Sequence, residues 1–536
     1  MRVKSLHLVI SLLILGTIVI VSRLPIIQKI EFPGHADRSY YYTVAYNLYH
    51  GKGLHIDYIW EFLSGRTRVS DASNLEYWMP ASSVMMFLAM QAWGDDSAKI
   101  ASYSTVAFAA ILAALSYVYS YILYTKSHLL GWAVGLVVAF SPHVFNNSVV
   151  LDSPIFYAVF ALLAFFLLEL GQRGNRNIFI FLTGTSIGLA HLSRSDGLLL
   201  FVAIFMYLLL GLPKKETIFR LATMSIGYGL ILGVWLVRNL VVLGRLQPGG
   251  TMSHFAFSTG REDGLYSYNA DVSLDTYLAQ GFTVIFEQKQ DTILWIINHV
   301  LMNLLGYVTP LLVFFVLLQL FQWRGSLKER WTILRENPFT GVFLFGLFLF
   351  VAYGLMFASV GKASFSRSGV ALVPFVAIAG IHGLTAIIPS RVSILSIIVF
   401  LLLISYPATR EEARLIVKEQ NIIGRTELAN ADYIHHGMAL HPPKGDPVVM
   451  TATPWQFHVA SGMKAVNIPF ASAETVVEVA RKYNVDYMVL PRDIMFQERP
   501  LLQDLYEEKA WPEGVYVLAQ DDRSDRWKVF KFVLEE

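Results

Sequence analysis

Apolar residues gather along this chain into runs separated by short polar links and two longer polar stretches. The runs predict about eleven helical spans, near 6–24, 97–124, 128–141, 154–170, 178–192, 197–212, 218–237, 293–321, 339–358, 369–388 and 392–407. Roughly 17–25 apolar residues in an α-helix cover about 30 Å of hydrocarbon. Spanning helices satisfy their own backbone groups, so the pattern predicts an α-helical bundle. Residues 25–96 are too many for a simple connector between the first two spans. Within them, DRSYYYTVAYNLYHGKG carries aromatic residues at a helix-like spacing, and MPASSVMMFLAMQAWG is a second half-apolar stretch. Both predict interfacial helices that roof a cavity at the membrane surface.

Beyond about residue 408 the pattern changes. Residues 411–440 are polar and helix-compatible. DPVVMTA, KAVNIPF and VDYMVLPR then read as short strands separated by helical PWQFHVASG and ASAETVVEVARKYN, with GVYVLAQD and WKVFKFVLE as a closing hairpin. The expected fold is a polytopic α-helical membrane domain over residues 1–408 followed by a small extracytoplasmic α/β domain over residues 409–536.

Charge fixes the expected sidedness. With the N-terminus inside, the cytoplasmic ends of the spans collect Arg2, Lys4, Lys126, Arg173, Arg176, Lys214, Lys215, Arg220, Arg324, Lys328, Arg330, Arg335 and Arg391, as the positive-inside rule requires. Residues 25–96, 142–153, 238–292 and the tail are then expected outside. The chain is 55% hydrophobic and only 15% charged, with a mean hydropathy of +0.49, far above a soluble domain of this length. A net charge of +2 without a basic block gives no sign of nucleic acid. With no cysteine, disulfides, thiolate zinc sites, iron–sulfur clusters and cysteine nucleophiles are excluded. The N-terminal MRVKSLHLVISLLILGTIVIVSRLP has no evident small-residue cleavage site and reads as a retained anchor. GKG at 51–53 is a turn, and no Walker motif points to ATP.

Two acidic residues are expected to face one compartment at the membrane surface. Asp37, in HADRSYY, can deprotonate an acceptor hydroxyl or amine as a general base, or it can cap a helix. Asp152, in SPHVFNNSVVLDSP, carries the same two readings. Four basic residues stand against the positive-inside trend at external ends of spans: Arg194, Arg238, Lys362 and Arg367. Such groups hold a phosphate through charge-assisted hydrogen bonds, or snorkel to lipid headgroups. Glu76 is a further acidic candidate beside its reading as a solvated loop carboxylate. Tyr41 and Tyr42 belong to an aromatic set that suits either sugar and prenyl contact or an interfacial belt. His35, His254 and His299, with Asp37 or Glu76, could build a metal site, although no HExxH spacing appears.

The ordered set DRSYYYTVAYNLYHGKG, WMPASSVMMFLAMQAWGDD, SPHVFNNSVVLDSP, GLAHLSRSDGLLL, VWLVRNLVVLGR and SRSGVALVPFVAIAG, followed by an external tail, resembles the GT-C superfamily of polyprenyl-phosphate-sugar-dependent glycosyltransferases. Within it, the chain most resembles the bacterial protein-mannosyltransferase-like and aminoarabinose-transferase-like branch. The resemblance implies roles for Asp37 and Asp152 in acceptor activation or positioning, in some members with a divalent cation. It implies that Arg238 and Arg367, with Lys362 and Arg194, bind the lipid phosphate, and it aligns Glu76 with an acidic residue of the aminoarabinose branch. The implied partners are a polyprenyl-phosphate sugar donor, a protein, lipid or glycan acceptor, and membrane lipids. The implied setting is the bacterial cytoplasmic membrane with an extracytoplasmic active site. The rival reading is a transporter or flippase, which would place ionisable residues near the middle of several spans.

Overall fold

The computed structural model describes residues 2–63, 68–70, 78–211, 214–246, 256–258, 266–302, 304, 306, 309–310, 313, 337, 339–358, 361–443, 445–492, 499–507, 509, 512–520 and 527–533. Glu76 and His254 lie outside these residues. Helices α1 (Arg2–Ile27), α2 (Asp37–Tyr49), α3 (Ala81–Trp93), α4 (Ala98–Tyr119), α5 (His128–Phe140), α6 (Pro142–Ser148), α7 (Pro154–Gly174), α8 (Asn177–Ser193), α9 (Gly197–Gly211) and α10 (Lys214–Leu243) form the first half. Further along come helices Phe282–Met302, Phe339–Phe350, Gly361–Gly369, Val373–Leu384 and Arg391–Leu440.

Among the described residues, seven helices are long and apolar enough to cross a membrane, or eight if the bent pair α5 and α6 is one span. Eleven were expected. Helices α8 and α9 have the expected apolarity, and their lengths of 17 and 15 residues lie at and just below the lower end of the range that covers the hydrocarbon. The span expected at 293–321 starts inside Phe282–Met302 and then runs into residues outside the described set. The two segments of the first loop that were expected to be interfacial helices are both helical, as α2 and α3. The chain is an α-helical integral membrane protein.

The break between α5 and α6 bends the chain by 57°. Ser141 leaves the helix and its hydroxyl accepts from the Val144 amide at 3.2 Å, while Pro142 opens the new helix. Proline has no amide proton to continue the preceding ladder, yet suits the first turn of a new one. Arg23 near the end of α1 locks this corner. Its Nε donates to Ser148 Oγ at 2.8 Å and its guanidinium lies 4.2 Å from the Phe145 ring centre. The corner carries residues 149–153 toward α2, which positions Asp152.

Close packing of α8 on α10 depends on glycine. A Cβ at Gly184 would stand 2.0 Å from the Met224 carbonyl oxygen, and one at Gly227 would stand 2.3 Å from the Phe181 carbonyl oxygen. Small residues four apart, here Gly184 and Gly188, let helix backbones approach in lipid.

The tail forms a six-stranded sheet. Its strands are β1 (Tyr58–Ile59), β2 (Val448–Thr451), β3 (Lys464–Asn467), β4 (Tyr487–Pro491), β5 (Val515–Gln520) and β6 (Trp527–Phe532), in the order β1-β3-β2-β4-β6-β5. The first four strands in that order run parallel, and helices Pro454–Ser461 and Ala473–Tyr483 make the crossovers that parallel neighbours require. The β5–β6 hairpin closes the sheet antiparallel. The five tail strands match the sequence expectation. The sixth, β1, comes from the first loop, with Tyr58 paired to Ala465. Arg391–Leu440 is one helix of 50 residues that passes through Pro407 and joins bundle to sheet without interruption.

Candidate active site

Three residues far apart in sequence meet where α2, the 149–153 turn and the Gly361–Gly369 helix converge. Arg367 donates from Nη1 to Asp37 Oδ2, and its Nε lies 3.4 Å from Asp152 Oδ2. Both carboxylates are buried, whereas the Arg367 side chain keeps 29% of its surface exposed and is the open face of the cluster. Asp37 is the first residue of α2, and Ala36 is its cap residue, so the Asp37 carboxylate is not spent on capping. Ala36 has φ 39°, an uncommon conformation for a residue with a Cβ. Gly34, two residues earlier, has φ +114°, and a Cβ there would sit 2.9 Å from Arg38 Cδ. The entry to α2 is thus a constrained turn that aims Asp37.

Asp152 is held from two sides. Its Oδ1 accepts from the Ser153 amide at 2.6 Å and from Ser153 Oγ at 3.2 Å. Arg194 Nη1 in turn donates to Ser153 Oγ at 3.2 Å. Burial alone would raise the Asp152 carboxyl, but the guanidinium of Arg367, then those of Arg38 and Arg194, hold it below the usual carboxylate range. Tyr41 is buried beside Asp152 and Asp37 and is hydrogen-bonded to Ser153; burial first, and then these two carboxylates, push its phenol upward, so it stays protonated. His35 at the turn is pushed down, by burial first and then by Arg38.

A third buried carboxylate, Asp196, braces the cluster from behind. It accepts from Arg194 Nε at 2.8 Å, from Tyr353 Oη and from Ser368 Oγ. Ser368 follows Arg367, so Asp196 links the α8–α9 turn to the helix that presents Arg367. Arg194 offsets the burial of Asp196 and keeps its carboxyl below the usual range.

The structure therefore brings Asp37, Asp152, Arg367, Arg194 and Tyr41 together. Tyr42 points elsewhere, with its hydroxyl donating to the Asp96 carbonyl at 2.9 Å. Lys362 pairs with Asp291 on the Phe282–Met302 helix. Arg238 lies over the Trp235 ring at 4.9 Å and donates to Asn239. Sequence reasoning missed Arg38, Ser153, Asp196, Tyr353 and Ser368. Arg38 and Asp196 adjoin or nearly adjoin candidates already chosen, Asp37 and Arg194, and so carried a signal. Tyr353 carried none.

A cavity of about 630 Å³ opens beside the cluster, bounded on its polar side by Arg38, His143, Asn146, Ser366, Thr409 and Glu412. Among the described residues the donor set does not fit a divalent cation. Among the described residues no three His, Asp or Glu side chains gather around one point, and Asp37 and Asp152 both turn an oxygen to Arg367. No step below is routed through a metal.

Comparison with known proteins places this geometry in a known fold. The chain has a TM-score of 0.54 to ArnT from Cupriavidus metallidurans in the apo state, at 11% identity, covering 98% of both chains. The fold is that of the GT-C glycosyltransferases. ArnT bound to undecaprenyl phosphate gives a TM-score of 0.52 at 11% identity, covering 97% of both chains. The oligosaccharyltransferase of Archaeoglobus fulgidus, in complex with zinc and sulfate, gives 0.53 at 13% identity over 94% of this chain and 70% of that one. No family model matches the sequence, and no curated protein matches it. At these identities the GT-C fold is shared and the branch within it is not assigned.

Proposed function

We propose that this chain is a membrane glycosyltransferase. It transfers a sugar from a polyprenyl-phosphate-linked donor to a protein, lipid or glycan acceptor on the extracytoplasmic face, with residues 1–408 as the catalytic domain and residues 409–536 as an external domain. The observation that carries this reading is the convergence of Asp37 and Asp152 on Arg367, with Arg194 behind them, in a fold shared with a structure bound to undecaprenyl phosphate.

In the proposed reaction, Asp37 takes the proton of an acceptor hydroxyl as that oxygen attacks the anomeric carbon. The new carbon–oxygen bond forms as the bond from the anomeric carbon to the phosphate oxygen breaks, and the electron pair leaves with the polyprenyl phosphate. Arg367, with Arg194 beside it, neutralises the leaving phosphate. Asp152 holds Arg367 in place and Tyr41 supplies a neutral hydroxyl. The half-exposed guanidinium of Arg367 is the group that exchanges Asp37 for phosphate when the donor arrives, which frees the Asp37 carboxylate to act as base. Lys362 and Arg238 serve headgroups at the rim of the membrane rather than the leaving phosphate.

The test is a transfer assay with the full chain in lipid nanodiscs, a panel of radiolabelled polyprenyl-phosphate sugars, and membrane extract as acceptor. Wild type is expected to move label from at least one donor, and Asp37→Asn is expected to lower the rate by about 10²–10⁴-fold. Equal transfer by both proteins, or no transfer from any donor by folded wild type, would overturn the proposal.

A further inference from the structure

Three arginines surround the reaction centre. Arg367 is paired with Asp37, and Arg194 with Asp196. The Arg38 side chain makes neither a hydrogen bond nor an ion pair among the described residues. Its Nε is inaccessible, while its two terminal nitrogens remain accessible at the wall of the cavity of about 630 Å³. The stem that carries them is held in place. A Cβ at Gly34 would stand 2.9 Å from Arg38 Cδ and 3.0 Å from Gln420 Cγ, so the side chain is clasped between the entry turn of α2 and the Arg391–Leu440 helix.

This is a costly place for a lone cation. Burial is the largest influence on Arg38 and lowers its guanidinium below the usual arginine range. Asp152, Asp37 and Glu419 restore it only in part, with Arg367 repelling it. Arg194 is the contrast: burial lowers it too, but Asp196 beside it carries the guanidinium above that range. Arg38 is also the second residue of α2, where the positive end of the helix dipole opposes a cation. Glu412, the acidic group on the cavity wall, is solvent-exposed and does not pair with Arg38. A desolvated charge calls for a counter-charge, and the planar fork of a guanidinium matches two oxygens of a phosphate or carboxylate. The side-chain amide nitrogen of Asn146, which also lines the cavity, has no acceptor among the described residues and supplies a further donor.

The ligand of Arg38 is distinct from the leaving phosphate. Successive residues of an α-helix point about 100° apart, so Asp37 turns to Arg367 while Arg38 turns to the cavity. The base of the proposed reaction thus has one arginine paired with it and a second, unpaired one next to it in the chain.

We propose that Arg38 makes this cavity a second oxyanion subsite, which takes a phosphate or carboxylate group of a substrate in addition to the phosphate held by Arg367. The inference rests on the transferase reading and deepens it, because it requires that a substrate carry an anionic group besides the leaving phosphate. That group belongs to the acceptor or is the second phosphate of a diphosphate donor.

Saturation-transfer NMR on the full chain in phosphatidylcholine nanodiscs, with the Arg367 site first filled by undecaprenyl phosphate, tests this without catalysis. The probes are methyl phosphate and acetate, with trimethyl phosphate as the uncharged control. At least one anionic probe is expected to saturate while trimethyl phosphate does not. Arg38→Gln is expected to weaken that probe at least about tenfold, and Arg38→Lys to weaken it less. Both variants are expected to bind undecaprenyl phosphate as wild type does. Arg38→Gln is expected to melt no lower than wild type, since it removes an unpaired buried charge. Undecaprenyl diphosphate then identifies the carrier. If it displaces the probe and binds at least about tenfold more tightly than undecaprenyl phosphate, an advantage lost in Arg38→Gln, the group is the donor's second phosphate. If the probe stays bound beside it, the group belongs to the acceptor. If undecaprenyl phosphate binds while neither anionic probe does, the subsite is overturned and the transferase reading stands. Anionic probes that bind wild type and Arg38→Gln alike, or trimethyl phosphate that saturates as strongly as they do, overturn it as well. Failure of undecaprenyl phosphate and of both probes removes the two readings together.

Discussion

Arg367 serves two carboxylates from one side chain, and Asp152 is the more deeply buried of the two. Replacing Asp152 by Asn keeps the shape but removes a charge that faces a guanidinium, and is expected to cost about 1–3 kcal/mol of stability at neutral pH. The sign of its pH dependence follows from the lowered Asp152 carboxyl. A depressed folded value means that stability from ionised Asp152 is fully present above about pH 4 and is lost as acid carries the pH down through the folded value. Thermal unfolding of wild type and Asp152→Asn between pH 3 and pH 7 should show a stability gap at neutral pH that narrows below about pH 4. A gap constant across that range would mean that the charge of Asp152 does not stabilise the cluster. Much of this residue-level picture was legible in the sequence, because carboxylates and arginines at expected external ends of spans stand out against an apolar background. Asp196 and Tyr353 were not legible. Their importance lies in meeting across 157 positions of sequence, which no local pattern reports.

Elements were legible to the extent that their own apolar pattern decides them. Helices α2 and α3 and the five tail strands follow from local periodicity. The number of spans does not, because apolarity alone does not tell one long span from two shorter apolar helices, or a straight span from one bent at Ser141 and Pro142. The GTSIG sequence at 184–188 did carry a packing signal that went unread. At Gly184 a methyl group meets the Met224 backbone, whereas at Gly233 on α10 a Cβ meets nothing within 4 Å. Gly184→Ala is therefore expected to force α8 and α10 apart and to destabilise the protein by about 1–3 kcal/mol. Gly233→Ala should be neutral or slightly stabilising, since alanine is the better helix former. Melting temperatures of the two variants in the same detergent decide this, and equal effects would remove the close-packing account of α8 against α10.

At the scale of the molecule, the tail is tied to α2 and is not merely appended to the bundle. Strand β1 pairs with β3, and the Asn467 amide donates to the Trp60 carbonyl at 3.0 Å. From Trp455 in the tail, ring contacts run to Trp60 at 5.8 Å, from Trp60 to Trp78 at 4.6 Å, and from Trp78 to Tyr40 on α2 at 4.5 Å. The long helix adds an ion pair between Arg425 and Glu31 at 3.2 Å, just before the turn into α2. This coupling was invisible in the sequence because a two-residue strand has no periodicity to detect. Trp455→Ala should loosen β1 and the start of α2, so amide exchange over residues 56–60 is expected to rise at least about tenfold. Unchanged exchange there would show that the tail and the first loop are independent.

The central claim is that one cluster divides its work: Arg367 holds phosphate and Asp37 moves a proton. Titration of undecaprenyl phosphate into wild type, Asp37→Asn and Arg367→Ala in nanodiscs, read by native mass spectrometry alongside transfer activity, tests that division directly. The account expects Asp37→Asn to bind at least as tightly as wild type, because Arg367 is released from its carboxylate partner, and to transfer about 10²–10⁴-fold more slowly, because the base is gone. It expects Arg367→Ala to lose at least about tenfold in affinity. If Arg367→Ala binds as wild type does, or Asp37→Asn transfers sugar at the wild-type rate, the division of roles is contradicted.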